Sequence, residues 1–339
     1  MNIKKIFVIA EAGVNHNGSL KIAKKLIDEA AKLKVDAIKF QTWKNGELTG
    51  KYSEIVNYVK KNNNKKLSAY QLSNTYRLTY KDFIELKKYC QKKNLLFLTT
   101  PDGFDSLEFV TNTLKLPIIK IGSTELNHHD FLESVAKKNK ITILSTGLGN
   151  LKEVSKAVKI IKKYNSKKLF VLQCTSEYPT PFEQINLEVL NTYKNVLKVN
   201  IGFSDHSLGY HAAIMAVALG VTIIEKHFTL DKKLQGPDHT SSLNPNEFKL
   251  FMKMIKKAER IMGNGTKEPT PNELVNLKGI RRGLVASRKL NKGIKINKSM
   301  IASKRPYKDF QPNEINKLIG KKLKVDMNKD QPFLRKFLH

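Results

Sequence analysis

Two histidines stand in the runs I-G-F-S-D-H, which ends at His206, and I-I-E-K-H-F-T-L-D, which contains His227; a third run, G-P-D-H, carries Asp238. Each of these two histidines follows an apolar stretch, 196–203 and 221–224, that reads as a buried strand. The first stretch ends at Ser204, Asp205 and His206, the second at Glu225, Lys226 and His227. A helical pattern, 210–219, lies between them. Strand, helix, strand sets the two strands side by side and parallel, so both imidazoles reach the same edge. Two imidazoles beside carboxylates, with coordination positions left over, suit a divalent metal. The competing reading is that each histidine satisfies a hydrogen bond in the core.

Lys39 and Lys120 stand at the ends of two further apolar stretches. A lysine there is costly unless something anionic sits beside it. Thr100, Ser123 and Ser204 can donate hydrogen bonds to phosphate oxygens. Together they read as a phosphate cradle made of side chains, with internal ion pairing, Lys39 to Glu11, as the alternative. A metal beside such a cradle suggests a carbonyl substrate polarised by the metal and attacked by a phosphorylated partner.

The elements that must hold these groups alternate along the chain. Strands are expected at 6–10, 37–41, 95–99, 118–121, 141–145 and 169–173, before the pair above. Helices are expected at 20–30 behind a Ser19 cap, 81–93, 105–113, from an Asp130 cap to 138, at 151–164 and at 246–262. Eight strands alternating with helices predict an α/β chain folded as a closed (β/α)8 TIM barrel rather than an open sheet, and no G-x-G-x-x-G follows the first strand. The site then lies at the carboxyl ends of the strands. Those ends are polar throughout: Glu11, Asn15 and His16; Lys39 and Gln41; Thr99 and Thr100; Lys120, Ser123 and Glu125; Ser145 and Thr146; Thr175, Ser176 and Tyr178; Ser204 and His206; Glu225 and His227. Core packing does not account for that, and it argues for an enzyme.

Residues 42–80 form a long connection with Trp43, Tyr52, Tyr58, Tyr70 and Tyr76, read as a lid over the mouth or a plain surface loop. The texture changes after Gly263. Residues 1–263 read as the catalytic barrel, 264–280 as a linker opening N-G-T-K-E-P-T-P, and 281–339 as a small basic, mostly-β domain with strand-like segments at 283–287, 293–296 and 323–325.

The chain has 339 residues, 40% of them hydrophobic, enough for a full core. It has no apolar run that could cross a bilayer. Glu11 follows the first apolar run at once, so that run reads as a strand and not a signal peptide. Cys90 and Cys174 give no disulfide framework, and a cytoplasmic enzyme is expected. The net charge is +31, but its lysines are spread over helix faces, with one dense tract at 60–66. No zinc-finger spacing, helix-turn-helix or RNP-like aromatic pattern accompanies them. A solvated lysine-rich surface is expected, with no nucleic-acid or membrane partner.

Nine motifs, taken together, resemble the N-acetylneuraminate (sialic acid) synthase family. They are A-E-A-G-V-N-H-N-G-S, K-F-Q-T at Lys39, T-T-P-D at Thr99, K-I-G-S-T-E at Lys120, L-S-T-G at Leu144, C-T-S-E-Y-P-T-P at Cys174, G-F-S-D-H at Gly202, E-K-H-F-T-L-D at Glu225 and G-P-D-H at Gly236. They run in family order, and the carboxy-terminal part resembles the antifreeze-like (SAF) module of these synthases. The resemblance implies condensation of phosphoenolpyruvate with an N-acylated mannosamine-type sugar, giving a nonulosonic acid and phosphate. It implies that His206 and His227 hold a divalent ion, manganese first, with Mg2+ or Co2+ as options. Lys39, Thr100, Lys120, Ser123 and Ser204 would hold phosphoenolpyruvate. Glu11 would be the acid/base or water-positioning group. Gln41, Glu125, Tyr178 and Asp238 would read sugar hydroxyls, and Arg305 the acyl group. In this family the small domain covers the barrel of a partner chain, so a domain-swapped homodimer is implied.

Three positions depart from the family pattern: Thr124 where glycine is frequent, Ser176 where Asn or Thr is, and Tyr307-Lys308-Asp309 where Gly-Asn-Gly often follows the Arg-Pro pair. The last stands beside the expected acyl reader. N-acetylmannosamine is the first expectation for the sugar. A 2,4-diacetamido-2,4,6-trideoxymannose, leading to N,N'-diacetyllegionaminate, is the alternative. A phosphoenolpyruvate aldolase making a shorter keto acid is a rival enzyme. A polyanion-binding protein on an inactive barrel is the rival from another class, marked by salt-sensitive binding and no phosphate release.

Overall fold

A computed structural model describes residues 5–56, 59–60, 67–165 and 168–339. The basic start at 1–4, Tyr58 and the tract 61–66 lie outside the described residues. The chain divides into two compact units, Met1–Asn264 and Gly265–His339.

The first unit is a ring of eight parallel strands: β1 (Phe7–Gly13), β2 (Ala37–Thr42), β3 (Leu96–Pro101), β4 (Ile118–Ile121), β5 (Ile141–Ser145), β6 (Leu169–Cys174), β7 (Asn200–Asp205) and β8 (Ile223–His227). Their order is β3-β2-β1-β8-β7-β6-β5-β4, with β3 and β4 in contact to close the ring. This is the (β/α)8 barrel that the alternation predicts.

Several of the helices form where the sequence supplies both a side-chain cap and an apolar stripe. In α1 (Leu20–Lys32) the Ser19 side chain accepts from Ile22 N, and Ala23, Leu26, Ile27 and Ala30 form the buried face. The connection 42–80 contains α2 (Ala69–Thr75), and α3 (Tyr80–Lys92) follows behind a Thr79–Asp82 capping box. The expected helix at 105–113 is divided into α4 (Phe104–Glu108) and a π-helical turn, Phe109–Thr113. In α5 (His129–Lys137), His128 stands at the N-cap without a side-chain capping bond, and Asp130 lies in the first turn; Asp130 is therefore not the cap. The helix α6 (Leu151–Tyr164) opens with an Asn150–Glu153 capping box. A short α7 (Val189–Thr192) and α8 (His211–Ala218) flank β7, and α9 (Pro245–Met262) begins behind Asn244 with proline in its first turn.

Strand ends differ from expectation in one consistent way. The structure carries β1, β2, β3, β6, β7 and β8 beyond the expected runs, so Glu11, Thr42, Thr100, Ser204, Glu225 and His227 stand within ladders. Val196 belongs to a π-helical turn, Tyr193–Leu197, that a left-handed Lys198 (φ 49°) terminates before β7 starts. Apolar character alone extends the β7 expectation backward into that turn.

The barrel has two apolar layers. One lies between strands and helices; the other fills the ring with Ile9, Ala37, Leu98, Ile143, Leu172 and Ile223. The inner layer is a floor beneath the polar strand ends. Gly202 on β7 lets that floor close, because a Cβ there would stand 2.8 Å from Leu172 Cδ1 and 2.9 Å from the Ile223 carbonyl oxygen.

In the second unit the expected linker, 264–280, contains α10 (Pro271–Ile280), capped by Thr270 and Glu273. β9 (Gly283–Ala286) and β10 (Ile301–Lys304) pair antiparallel. The expected segments at 293–296 and 323–325 join through isolated bridges, Lys295 to Lys322 and Leu323 to Leu338. Leu284, Leu290, Ile296, Phe310, Leu318 and Phe333 are among the buried side chains of its core.

Candidate active site

A cavity of about 850 Å³ opens at the carboxyl ends of the barrel strands. Glu11, Lys39, Gln41, Thr100, Lys120, Ser123, Tyr178, Ser204, His206 and His227 all line it. These residues come from seven different strands or the loops just after them, so the cavity exists only when the ring is closed. Two of the residues expected from this unit, Glu125 and Asp238, are not on its wall. Glu125 Oε2 pairs with His128 Nδ1 at 2.6 Å. Asp238 lies just behind His227, its Oδ2 3.8 Å from Nδ1. Arg305 follows β10 in the second unit.

The two lysines share one carboxylate, Glu225, and Lys39 also pairs with Glu11. Lys39 Nζ is 2.8 Å from Glu11 Oε1, 3.8 Å from Glu225 Oε2 and 3.0 Å from Thr100 Oγ1. Lys120 Nζ is 3.5 Å from Glu225 Oε1 and donates to Ser145 Oγ at 2.6 Å. The internal pairing weighed for Lys39 is thus present, and the same ammonium also faces the cavity. Burial pulls Lys39 down, yet Glu11 and then Glu225 hold it above its ordinary value; burial wins for Lys120 and lowers it. Burial also pushes Glu11 up to about 8 against the pull of Lys39. Burial would raise Glu225 as well, but Lys120 and Lys39 together hold it below the usual carboxylate range. The pocket therefore separates one carboxyl that keeps its proton at neutral pH from one that does not.

Ser123, Gly147 and Ser176 form a hydroxyl-lined recess beside Lys120. Ser123 Oγ accepts from Gly147 N at 2.9 Å. A Cβ on Gly147 would stand 2.2 Å from Ser176 Oγ and 2.9 Å from Ser123 Oγ, so the two serines close over a glycine.

The two imidazoles converge. The His206 and His227 ring centroids are 5.2 Å apart, at 71° to one another, and the Tyr178 ring stacks on His206 at 4.1 Å. His206 Nδ1 is fixed by the Thr175 carbonyl oxygen at 2.6 Å, with Nε2 3.5 Å from Ser204 Oγ. Burial acts to lower His206, but the Cys174 sulfur, 3.8 Å away, raises it on balance. Burial, then the charge of His206, drives His227 well below its ordinary value, so His227 is neutral. Its Nδ1 is buried without a hydrogen-bond partner, as is Glu225 Oε2. Neutral nitrogen and orphaned donor atoms on a polar wall fit a metal. Among the described residues no three His, Cys, Asp or Glu side chains are grouped to hold one, so the histidine pair would leave the remaining positions to water or substrate.

Among the cavity residues with no expected site role, Glu225 and Asp102 are both buried carboxylates. Glu225 is the bridge between the lysines. Its signal in the sequence is its place two residues before His227, facing the same side as that histidine by strand alternation. Asp102 closes T-T-P-D just past β3, and burial, with Glu125 nearby, pushes it up to about 8.

Residues 26–267 match the NeuB family and residues 281–338 match the SAF domain. The chain is 38% identical over 321 residues to N,N'-diacetyllegionaminic acid synthase of Campylobacter jejuni, covering 94% of this chain and 96% of that protein. It is 31% identical over 343 residues to human N-acetylneuraminate-9-phosphate synthase, covering 98% and 92%. Among solved structures, the sialic acid synthetase of Leptospira borgpetersenii in complex with citrate superposes with a TM-score of 0.72 at 36% identity, over 81% of this chain and 90% of that one. No helix among the described residues is long and apolar enough to cross a membrane.

Proposed function

The chain belongs to the NeuB family and ends in an SAF domain, and on that premise we propose that it is a nonulosonic acid synthase joining phosphoenolpyruvate to an N-acylated mannosamine-type sugar. The observation that carries this reading is the arrangement of Lys39 and Lys120 around Glu225, beside two converging imidazoles, in one cavity.

Phosphoenolpyruvate brings a phosphate and a carboxylate into a pocket whose two ammonium groups are each 3% exposed. In so dry a site those charges act at far greater strength than in water. Thr100, Ser123 and Ser204 add hydroxyl donors, and the Gly147 backbone brings Ser123 and Ser176 together. Gln41 and Tyr178 meet the sugar. His206 and His227 would hold a divalent metal, manganese first, whose bound form supplies Lewis-acid polarisation of the sugar aldehyde.

The enol methylene carbon forms the new C–C bond to the aldehyde carbon, and the aldehyde oxygen takes up a proton. Water then adds to the cationic C2 and gives one proton back to the group that protonated the aldehyde oxygen; the C2 carbonyl forms as the C–O bond breaks, and phosphate leaves with its electron pair and the remaining proton. Glu11, carrying its proton at neutral pH and held by Lys39, is placed to give the aldehyde oxygen its proton or to orient the water. Arg305, in the second unit, is the reader we assign to the acyl group, and a homodimer is the assembly.

We place a 2,4-diacetamido-2,4,6-trideoxymannose ahead of N-acetylmannosamine, which the motifs alone put first. Leu48, Val56 and Leu148 put apolar surface on the cavity wall. A deoxy carbon and a second acetamido methyl have the character to meet such surface. The greater likeness to the legionaminic acid synthase than to the N-acetylneuraminate-9-phosphate synthase favours the same sugar.

The test is phosphate release across a panel of mannosamine derivatives. Release should require phosphoenolpyruvate, one of these sugars and a divalent metal together, and the diacetamido sugar should have the highest kcat/KM. No release with any sugar, or release without sugar, sinks the proposal. Arg305→Ala should raise the sugar KM and leave that of phosphoenolpyruvate in place.

A further inference from the structure

Between the two inward-facing pairs of β7 and β8 lies a pair that faces the other way. Ser204 pairs with Glu225 in the ladder and Asp205 pairs with Lys226. Ser204, Glu225 and both histidines line the cavity; Asp205 and Lys226 do not. Strand alternation sends these two into the layer under the helices, where apolar side chains are the rule. Both side chains are 0% exposed, and Lys226 Nζ stands 2.9 Å from Asp205 Oδ2.

The pair is tied to the turn that carries His206. Asp205 Oδ1 accepts from Ser207 N at 2.9 Å and from Ser207 Oγ at 2.6 Å. Lys226 Nζ donates to the Ser207 carbonyl oxygen. Asp205 Oδ2 makes no aligned hydrogen bond, so its link to Lys226 is an ion pair alone. His206 therefore sits between two residues bonded to each other, and both are held by the residue preceding His227.

A buried ion pair is a poor source of stability, because desolvation of both charges offsets their attraction, and apolar replacements are often no worse. What this one supplies is geometry. We propose that Asp205 and Lys226, clamped through Ser207, are positioning residues that set the separation and facing of the two imidazoles. The inference rests on the reading of His206 and His227 as the metal-holding pair. It adds that their spacing is imposed from behind, by the strand face that never meets substrate. Groups of this kind, bonded to the frame of metal ligands, tune affinity without touching the metal.

The test replaces both charges together, Asp205→Asn with Lys226→Met, so that neither is left buried alone. Thermal unfolding should stay at or above that of the parent. The Mn2+ dissociation constant, read from the electron paramagnetic resonance of free Mn2+, should rise about tenfold to a hundredfold. The KM for phosphoenolpyruvate should hardly move, because Lys39 and Lys120 are untouched. Ser207→Ala, a milder change, should also weaken Mn2+ binding at unchanged unfolding temperature, and it serves if the double variant does not fold. Parent-like Mn2+ binding by a folded double variant, or by Ser207→Ala, overturns the clamp. A parent that binds no Mn2+ overturns the metal reading itself, and the clamp with it.

Discussion

Lys39 Nζ stands 2.8 Å from Glu11 Oε1, with side chains only 3% and 2% exposed. The pair spans β1 and β2, where Glu11 and Lys39 are ladder partners. Burial still leaves the Glu11 carboxyl raised to about 8. Desolvation outweighs the pull of the neighbouring ammonium, and the carboxyl keeps its proton as a result.

That proton makes stability fall with rising pH. The unfolded Glu11 titrates near its ordinary 4.5 and the folded one at about 8. Between those values the folded chain binds more protons, so this contribution is fully present below the lower value and is lost as pH climbs through the upper one. Each unit of separation counts about 1.4 kcal/mol. The unfolding temperature of the substrate-free protein should drop between pH 5 and 8, and Glu11→Gln should flatten the profile. A Glu11→Gln profile that overlays the parent rules this out.

Lys120→Met removes one of the two ammonium groups that compensate Glu225. The loss of a buried, paired charge is worth about 2–5 kcal/mol. Steady-state kinetics should show kcat/KM for phosphoenolpyruvate falling roughly thirtyfold or more, with the sugar KM far less affected. An unchanged phosphoenolpyruvate term means the anion binds elsewhere.

His206→Ala and His227→Ala should each reduce turnover to about one hundredth or less, on the scale of several kcal/mol that a Lewis acid contributes. Chelation of the parent should do the same, and added Mn2+ should restore it. Full turnover in both variants refutes the metal assignment.

Gly147→Ala tests the serine recess without touching a charge. The added methyl must displace Ser176 Oγ and Ser123 Oγ, from 2.2 Å and 2.9 Å. Expected is a rise of about tenfold in the KM for phosphoenolpyruvate, near 1.4 kcal/mol, in a protein that still folds. A variant with parent kinetics separates the recess from substrate.

The strand-end polar residues were readable one by one, because each interrupts an apolar run at the point where a strand should leave the core. Lys39, Lys120, His206 and His227 stood out for that reason. Glu225 belongs to the same set of polar strand ends, but nothing local marks it as a partner of both lysines. Only the closed ring turns it toward Lys39 and Lys120, from two other strands. Asp102 was hidden likewise, one residue past the end of β3 with no local partner to mark it. Glu125 illustrates the reverse case: its spacing fits the site, yet the turn after β4 gives it to His128.

Hydrophobic periodicity and capping residues determined the alternation of eight strands with helices, since both are local properties of neighbouring side chains. Motif order determined the family. Tertiary structure alone decided which charges are shared: Glu225 between two lysines, and Asp205 with Lys226 behind the imidazoles. Those pairings join residues from separate strands, and electrostatic energy depends on distance and burial, neither of which exists until the ring has closed.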